Sequence, residues 1–170
     1  MRAMKRRQRA LLASLTLILT AAPLTVVATL PAEAAYGECN SASWRVASTV
    51  GLWEYTKVPV RTGNGMHCYM GKQQGSKSAV MALQDAIKRC YWDTPASDYI
   101  SASGGVDGKY GEGTAKAVLW LQVHRFGFKG SNRDGVYGPA TRAAMMWPMH
   151  HTNSSGDYIP IYECWNYSGI

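Results

Sequence analysis

The sequence predicts a mainly α-helical fold: a compact three-helix module with two repeated turn–helix elements, loop-rich flanks and two disulfides. Three observations predict it. An eleven-residue pattern occurs twice, apolar residues recur at helical spacing around each copy, and four cysteines lie in a chain that opens like an exported protein. The first copy runs Asp107-Gly108-Lys109-Tyr110-Gly111-Glu112-Gly113-Thr114, with Ala117 three residues on. The second runs Asp134-Gly135-Val136-Tyr137-Gly138-Pro139-Ala140-Thr141, with Ala144 three residues on. Both read D-G-x-Y-G-x-x-T-x-x-A. A shorter pattern, V-x-x-L-Q, precedes each copy, at Val80–Gln84 and at Val118–Gln122.

Each element has a physical reading. Over Ser76–Cys90, residues Ala79, Val80, Leu83, Ala86, Ile87 and Cys90 share one helical face. Thr114–Phe126 repeats this with Ala115, Val118, Leu119, Gln122 and Phe126, flanked by Ala117 and Leu121. A shorter third helix is expected over Pro139–Trp147. Proline suits its first position, where no N–H is needed, and Pro148 is expected to stop it. The D-G-x-Y-G segments are the turns into the second and third helices. Asp107 and Asp134 can accept hydrogen bonds from loop N–H groups, and Gly108, Gly111, Gly135 and Gly138 can take positive φ. Thr114 and Thr141 stand where a hydroxyl can satisfy an orphan helical N–H. The stretch Tyr91–Ser103 reads as an insert in the first unit, broken by Pro95 and followed by Gly104-Gly105.

The N-terminus reads as a secretory signal over residues 1–34. Arg2, Lys5, Arg6, Arg7 and Arg9 precede an apolar run from Leu11 to Leu30, and Ala32-x-Ala34 is a cleavage exit. The formal charge of the whole chain is +7; without five bases and one acid of the leader, 13 Lys and Arg face 10 Asp and Glu, leaving +3. That mild charge gives no clustered basic face for nucleic acid, and it suits an anionic surface weakly. Cys39, Cys68, Cys90 and Cys164 all follow the leader, which reads as two disulfides. Of three possible connectivities, Cys68–Cys90 is favoured because only a short loop and one helix separate the two residues. Cys39–Cys164 then remains as a clasp between the ends. A metal site is disfavoured by the lack of a Cys-x-x-Cys pair.

The alternation of V-x-x-L-Q helices with D-G-x-Y-G-x-x-T turns resembles the three-helix peptidoglycan-binding domain of secreted bacterial cell-wall proteins. The resemblance covers roughly Cys68 to Trp147, and Cys68 with Cys90 around the first helix resembles secreted actinobacterial members. It departs from the family in the spacing of Gly71 and Gly75 before the first helix and in the Tyr91–Ser103 insert. It implies a module over 68–148 between an aromatic N-terminal flank, 35–67, and a C-terminal flank, 149–170, clasped to it. The flanks carry Tyr36, Trp44, Trp53, Tyr55, Tyr158, Tyr162, Trp165 and Tyr167. They read as extra strands or loops packed on the module.

The resulting functional expectation is a secreted, non-catalytic, monomeric protein, extracellular or wall-associated, whose partner is bacterial peptidoglycan. It needs no cofactor, binds no nucleic acid and does not stay in a membrane after signal cleavage. Tyr110, Tyr137, Trp120, Arg125 and Arg142 are the ligand candidates. The rings could pack on a ligand, and the arginines could pair with stem-peptide carboxylates. His67, His124, His150 and His151 form no H-x-x-x-H pattern and read as surface residues, and no nucleophile elbow occurs. Two rivals remain. One is a small wall hydrolase with a site in the flanks, where Glu38, Glu54 and Glu163 lie. The other is a protein-binding module or inhibitor on the same fold.

Overall fold

The computed structural model describes residues 36–48, 54–63 and 65–166. The leader expected over 1–34, and Trp53 and Tyr167 of the flanks, lie outside them. The chain runs β1 (Ser41–Ser48), β2 (Glu54–Val60), α1 (Lys77–Cys90), α2 (Pro95–Ala102), α3 (Glu112–Trp120), α4 (Pro139–Ala144), β3 (Met146–Thr152) and β4 (Tyr158–Asn166). A π-helical turn, Leu121–Arg125, continues α3.

The expectation of a mainly α three-helix module is therefore wrong. Four helices pack with a four-stranded antiparallel sheet of order β1-β2-β3-β4. Both flanks supply it: β1 and β2 come from the N-terminal flank, β4 and most of β3 from the C-terminal one. The two halves join where Glu54 pairs with His151 and Tyr55 with His150. In β2, Thr56 and Val58 are buried on either side of exposed Lys57, an inward–outward alternation that stops at Val58, since Pro59 and Val60 are both buried. Pro148 does not stop a helix; it lies inside β3, opposite Cys164 of β4. Its missing N–H is tolerated because β2 pairs with β3 only further along, at His150 and His151. The third helix ends at Ala144, short of the expected Trp147, and the Tyr91–Ser103 insert folds into α2.

Helix α1 begins as expected, with the Ser76 hydroxyl accepting from Ala79 N at 3.3 Å and Lys88 and Arg89 in its last turn. It crosses β1, β2 and β3. One core holds Leu83 and Ile87 of α1, Ile100 of α2, Val118 of α3, Val58 of β2 and Trp147 and Met149 of β3. Each such apolar side chain, once buried, stabilises the fold by roughly 1.5–3 kcal/mol.

The disulfides pair Cys39 with Cys68 and Cys90 with Cys164, with Cα–Cα distances of 5.0 and 5.7 Å. This corrects the expected Cys68–Cys90 and Cys39–Cys164. The expectation counted the helix between Cys68 and Cys90 as a short separation and left out its length. Cys39 sits beside the start of α1, where Ser76 N donates to its carbonyl at 3.0 Å, and Cys68 lies with it because Cys39 N bonds Tyr69 O at 2.9 Å. Cys90 ends the 14-residue helix. At 1.5 Å rise per residue it stands about 20 Å from that point, beyond the ~7 Å reach of a disulfide. In chain-entropy terms the two bonds contribute roughly 3–5 kcal/mol each.

Candidate functional site

The two D-G-x-Y-G turns are each held by the glutamine that ends V-x-x-L-Q. Gln84 is fully buried; its Nε2 donates to Asp107 Oδ1 (2.9 Å), Lys109 O (3.2 Å) and Thr114 Oγ1 (3.1 Å), and its Oε1 accepts from Gly108 N (2.8 Å). Gln122 makes the same set to Asp134, Val136 O, Thr141 Oγ1 and Gly135 N, at 2.8–3.1 Å. One side-chain amide on a helix thus saturates a turn more than ten residues on. Asp107 and Asp134 each accept, at 2.9 Å, from the backbone N–H two residues later. That bond and the Gln84 amide hold the Asp107 carboxyl below its ordinary pKa.

The glycines divide. Gly108 and Gly135 have φ of +76° and +71°, and a Cβ on either would come within 2.9 Å of a backbone carbonyl oxygen, of Lys77 and Ala115 respectively. Gly111 and Gly138 are extended N-caps of α3 and α4 with open space beside them, so the positive φ expected there does not occur. Thr114 and Thr141 do not cap a helical N–H; each accepts the glutamine amide and donates to the carbonyl of Lys109 or Val136.

The structure turns three of the five ligand candidates inward. Tyr110 is 3% exposed; its hydroxyl donates to Gly135 O at 2.9 Å and accepts from Tyr137 N at 3.1 Å, bolting the first turn to the second. Tyr137 is fully buried, edge-on to Trp147, and its backbone bridges Met70 through two 2.8 Å hydrogen bonds. Burial raises the pKa of both phenols. Arg142 is 6% exposed. Trp120 is half-buried against His124, and Arg125 is exposed at the end of the π-helical turn. Tyr110 and Tyr137 are therefore parts of the scaffold beneath the surface rather than its contact rings.

What lies open is a cleft of about 270 Å³ over the second turn. Tyr36, Tyr69 and Phe128 stand around it, Val136 and Pro139 are apolar lining, and Asn132 and Asp134 bring polar groups. Asn132 and Asp134 are exposed, and the three rings are half-buried. The sequence reading noted Tyr36 only as a flank aromatic and passed over Tyr69 and Phe128. Only Phe128, six residues after Gln122, lies near the second turn in sequence; Tyr69 reaches it through the pairing of Met70 with Tyr137, which the sequence does not show.

The first turn is flanked differently. The counterpart of Ala140 is Gly113, where a Cβ would lie 2.3 Å from Ser103 and 2.8 Å from Tyr99 O, so α2 packs hard against it. The counterpart of Pro139 is Glu112, ion-paired to Lys72 at 2.5 Å.

The histidines do not converge. His67 and His124 are exposed, His151 is half-buried, and His150 is 7% exposed, contrary to the expectation of a surface residue. Among the described residues no three His, Cys, Asp or Glu could hold a metal ion, and no helix is long and apolar enough to cross a membrane.

Residues 76–145, which contain both turns, match the family described as "Putative peptidoglycan binding domain". No curated protein and no solved structure matches the chain.

Proposed function

We propose that this chain, which carries a domain of the peptidoglycan-binding family over residues 76–145, is an exported, non-catalytic protein that attaches to the bacterial cell wall. The observation that carries the reading is the open face of the second turn. A cleft walled by Tyr36, Tyr69 and Phe128, with Asn132 and Asp134 at hand, offers ring faces to the apolar sides of a sugar and polar groups to its hydroxyls or amides. Its floor is rigid, because Gln122 and Tyr110 saturate the backbone beneath it. Trp120 and Arg125 are the reachable members of the set expected from sequence. Two disulfides and the leader-like N-terminus support an oxidising, extracellular setting. The flanks serve as a sheet that extends the family module.

The test is sedimentation of the oxidised chain with protein-free sacculi, with turbidity followed in the same tube. The expected result is co-pelleting at constant turbidity. Tyr69→Ala and Phe128→Ala should each weaken it about tenfold, the equivalent of ~1.4 kcal/mol for a lost ring contact. Failure of the folded chain to pellet overturns wall attachment. Falling turbidity overturns the non-catalytic part and directs attention to the flank carboxylates.

A further inference from the structure

One ring from each strand of the sheet meets in a single cluster. Trp44 of β1 stacks on Tyr158 of β4 at 3.8 Å and 13°, Tyr55 of β2 meets Tyr158 edge-on at 5.1 Å, and His150 of β3 meets Trp44 edge-on at 4.8 Å. The cluster sits at the joint between the two hairpins. Among the described residues, β2 and β3 pair only at Glu54 with His151 and Tyr55 with His150, whereas each hairpin pairs along most of its length. Each hairpin is also tied separately to the rest of the chain. Cys39, which leads into β1, joins Cys68, and Cys164 of β4 joins Cys90 at the end of α1.

Of the four rings, only the imidazole titrates near neutral pH. His150 is 7% exposed, and its Nδ1 is buried with no hydrogen-bond partner among the described residues. The carbonyls of Pro148 and Tyr55 favour a charged ring, but neither is placed to accept from Nδ1. An imidazolium carries an N–H on both nitrogens, so charging this ring strands a donor inside the cluster. The neighbouring charges do not offset that. From α1, Arg89 opposes a second cation, and the Asp85 carboxylate, which favours one, already accepts from Arg89 Nε at 2.8 and 2.9 Å. From β2, Lys57 lines the same cleft as the ring and adds positive charge. Tyr55 of β2 and Tyr158 of β4 bring phenols, and Trp44 of β1 brings no charge. The next residue of β3, His151, lies on the other face, opposite Glu54. Burial, aided by Arg89, holds the His150 pKa below the ordinary histidine value.

We infer that acid opens this joint: protonation of His150 releases the ring cluster and lets the N-terminal hairpin part from the C-terminal one, each staying attached through its own disulfide. The switch is local and reversible, because the helices, the two turns and both disulfides lie outside the joint. Opening uncovers the faces of Trp44, Tyr55 and Tyr158. The neutral ring holds the joint fully above pH ~6.5, and that hold is lost as pH falls below this value toward the folded pKa. For one proton, the opening constant rises by up to about tenfold at pH 5.5.

The experiment is amide hydrogen exchange by NMR on the full oxidised chain at pH 7.5 and 5.5, expressed as protection so that the intrinsic pH dependence of exchange drops out. The expected result is a loss of protection approaching tenfold in the amides bonded across the joint, at Glu54, Tyr55, His150 and His151, with Leu83 and Ile87 of α1 unchanged. His150→Phe, which keeps a ring and removes the titration, should abolish the loss. So should a cross-strand disulfide made by Glu54→Cys with His151→Cys, which locks the joint and leaves His150 in place. Near-UV dichroism at pH 7.5 confirms that each variant is folded. Joint protection indifferent to pH overturns the inference. A loss shared equally by α1 overturns it too, since that is global unfolding, and so does a loss that survives either variant.

Discussion

The two turns share six identities and one hydrogen-bond pattern, yet their surroundings differ completely. Around the first, α2 packs on Gly113, and Lys72 pairs with Glu112 at the exposed surface. Around the second, the same face is open and ringed by Tyr36, Tyr69 and Phe128. The first turn also gives its tyrosine hydroxyl to the second, whereas the Tyr137 hydroxyl is buried with no hydrogen-bond partner among the described residues. A duplicated element has thus been divided: one copy braces, the other presents a surface. Identical sequence in a repeat specifies the turn, and what packs against the turn decides whether it can bind.

The strongest way to break this division is to remove each glutamine. Gln84→Leu and Gln122→Leu should each cost about 3–5 kcal/mol, because several buried donors and acceptors lose their partner at once. Urea unfolding would measure both. Only Gln122→Leu should also weaken sacculus binding at temperatures where the variant remains folded; equal effects of the two on binding would contradict the division. Next in size, Gly108→Ala and Gly135→Ala should each cost about 2–3 kcal/mol through strain at positive φ and the 2.9 Å backbone approach. Gly111→Ala and Gly138→Ala should stay within about 0.5 kcal/mol, a contrast readable by thermal melts. Smaller again, Tyr110→Phe should lose about 1–2 kcal/mol with its two hydrogen bonds, while Tyr137→Phe should be neutral or slightly stabilising because it removes an unsatisfied buried hydroxyl.

The smallest effect concerns pH. Burial lowers the His150 pKa, so the unfolded state binds its proton more readily than the folded one. Stability from the neutral ring is complete above the ordinary histidine pKa of about 6.5 and declines as pH falls through that value toward the folded pKa. His150→Phe should flatten that acid-side decline in urea midpoints measured from pH 8 to pH 5.

Local chemistry was legible and long-range geometry was not. The D-G-x-Y-G turns and the first helix could be read because each is fixed by residues close in sequence. Even the glutamines were visible as a repeated letter, though not as the groups that bind the turns. The flanks read as strands or loops, but the single sheet that joins them was not foreseen, for an identifiable reason. Pro148 ends helices, but a proline also fits a strand beside an unpaired edge, and nothing local announces where β2 stops pairing with β3. The tyrosines of the turns were read as outward because a turn is usually exposed. Tyr110 and Tyr137 point inward because the second turn is itself sandwiched between Met70 and the first. The cleft rings at Tyr36, Tyr69 and Phe128 come from three distant segments, which no spacing rule connects.

The order of the cysteine pairs bears on how the protein matures. Cys39 joins Cys68 and Cys90 joins Cys164, so the two covalent loops follow one another along the chain without overlapping. In a chain delivered N-terminus first, the first pair can oxidise before Cys90 emerges, and the second then has a single possible partner. A nested arrangement of outer and inner bonds would leave Cys39 waiting for the last segment, with Cys68 a nearer and wrong choice for Cys90 to correct by thiol exchange. Sequential oxidation of neighbouring cysteines already gives the native pairs, so this fold can reach its final covalent form without a disulfide-shuffling catalyst.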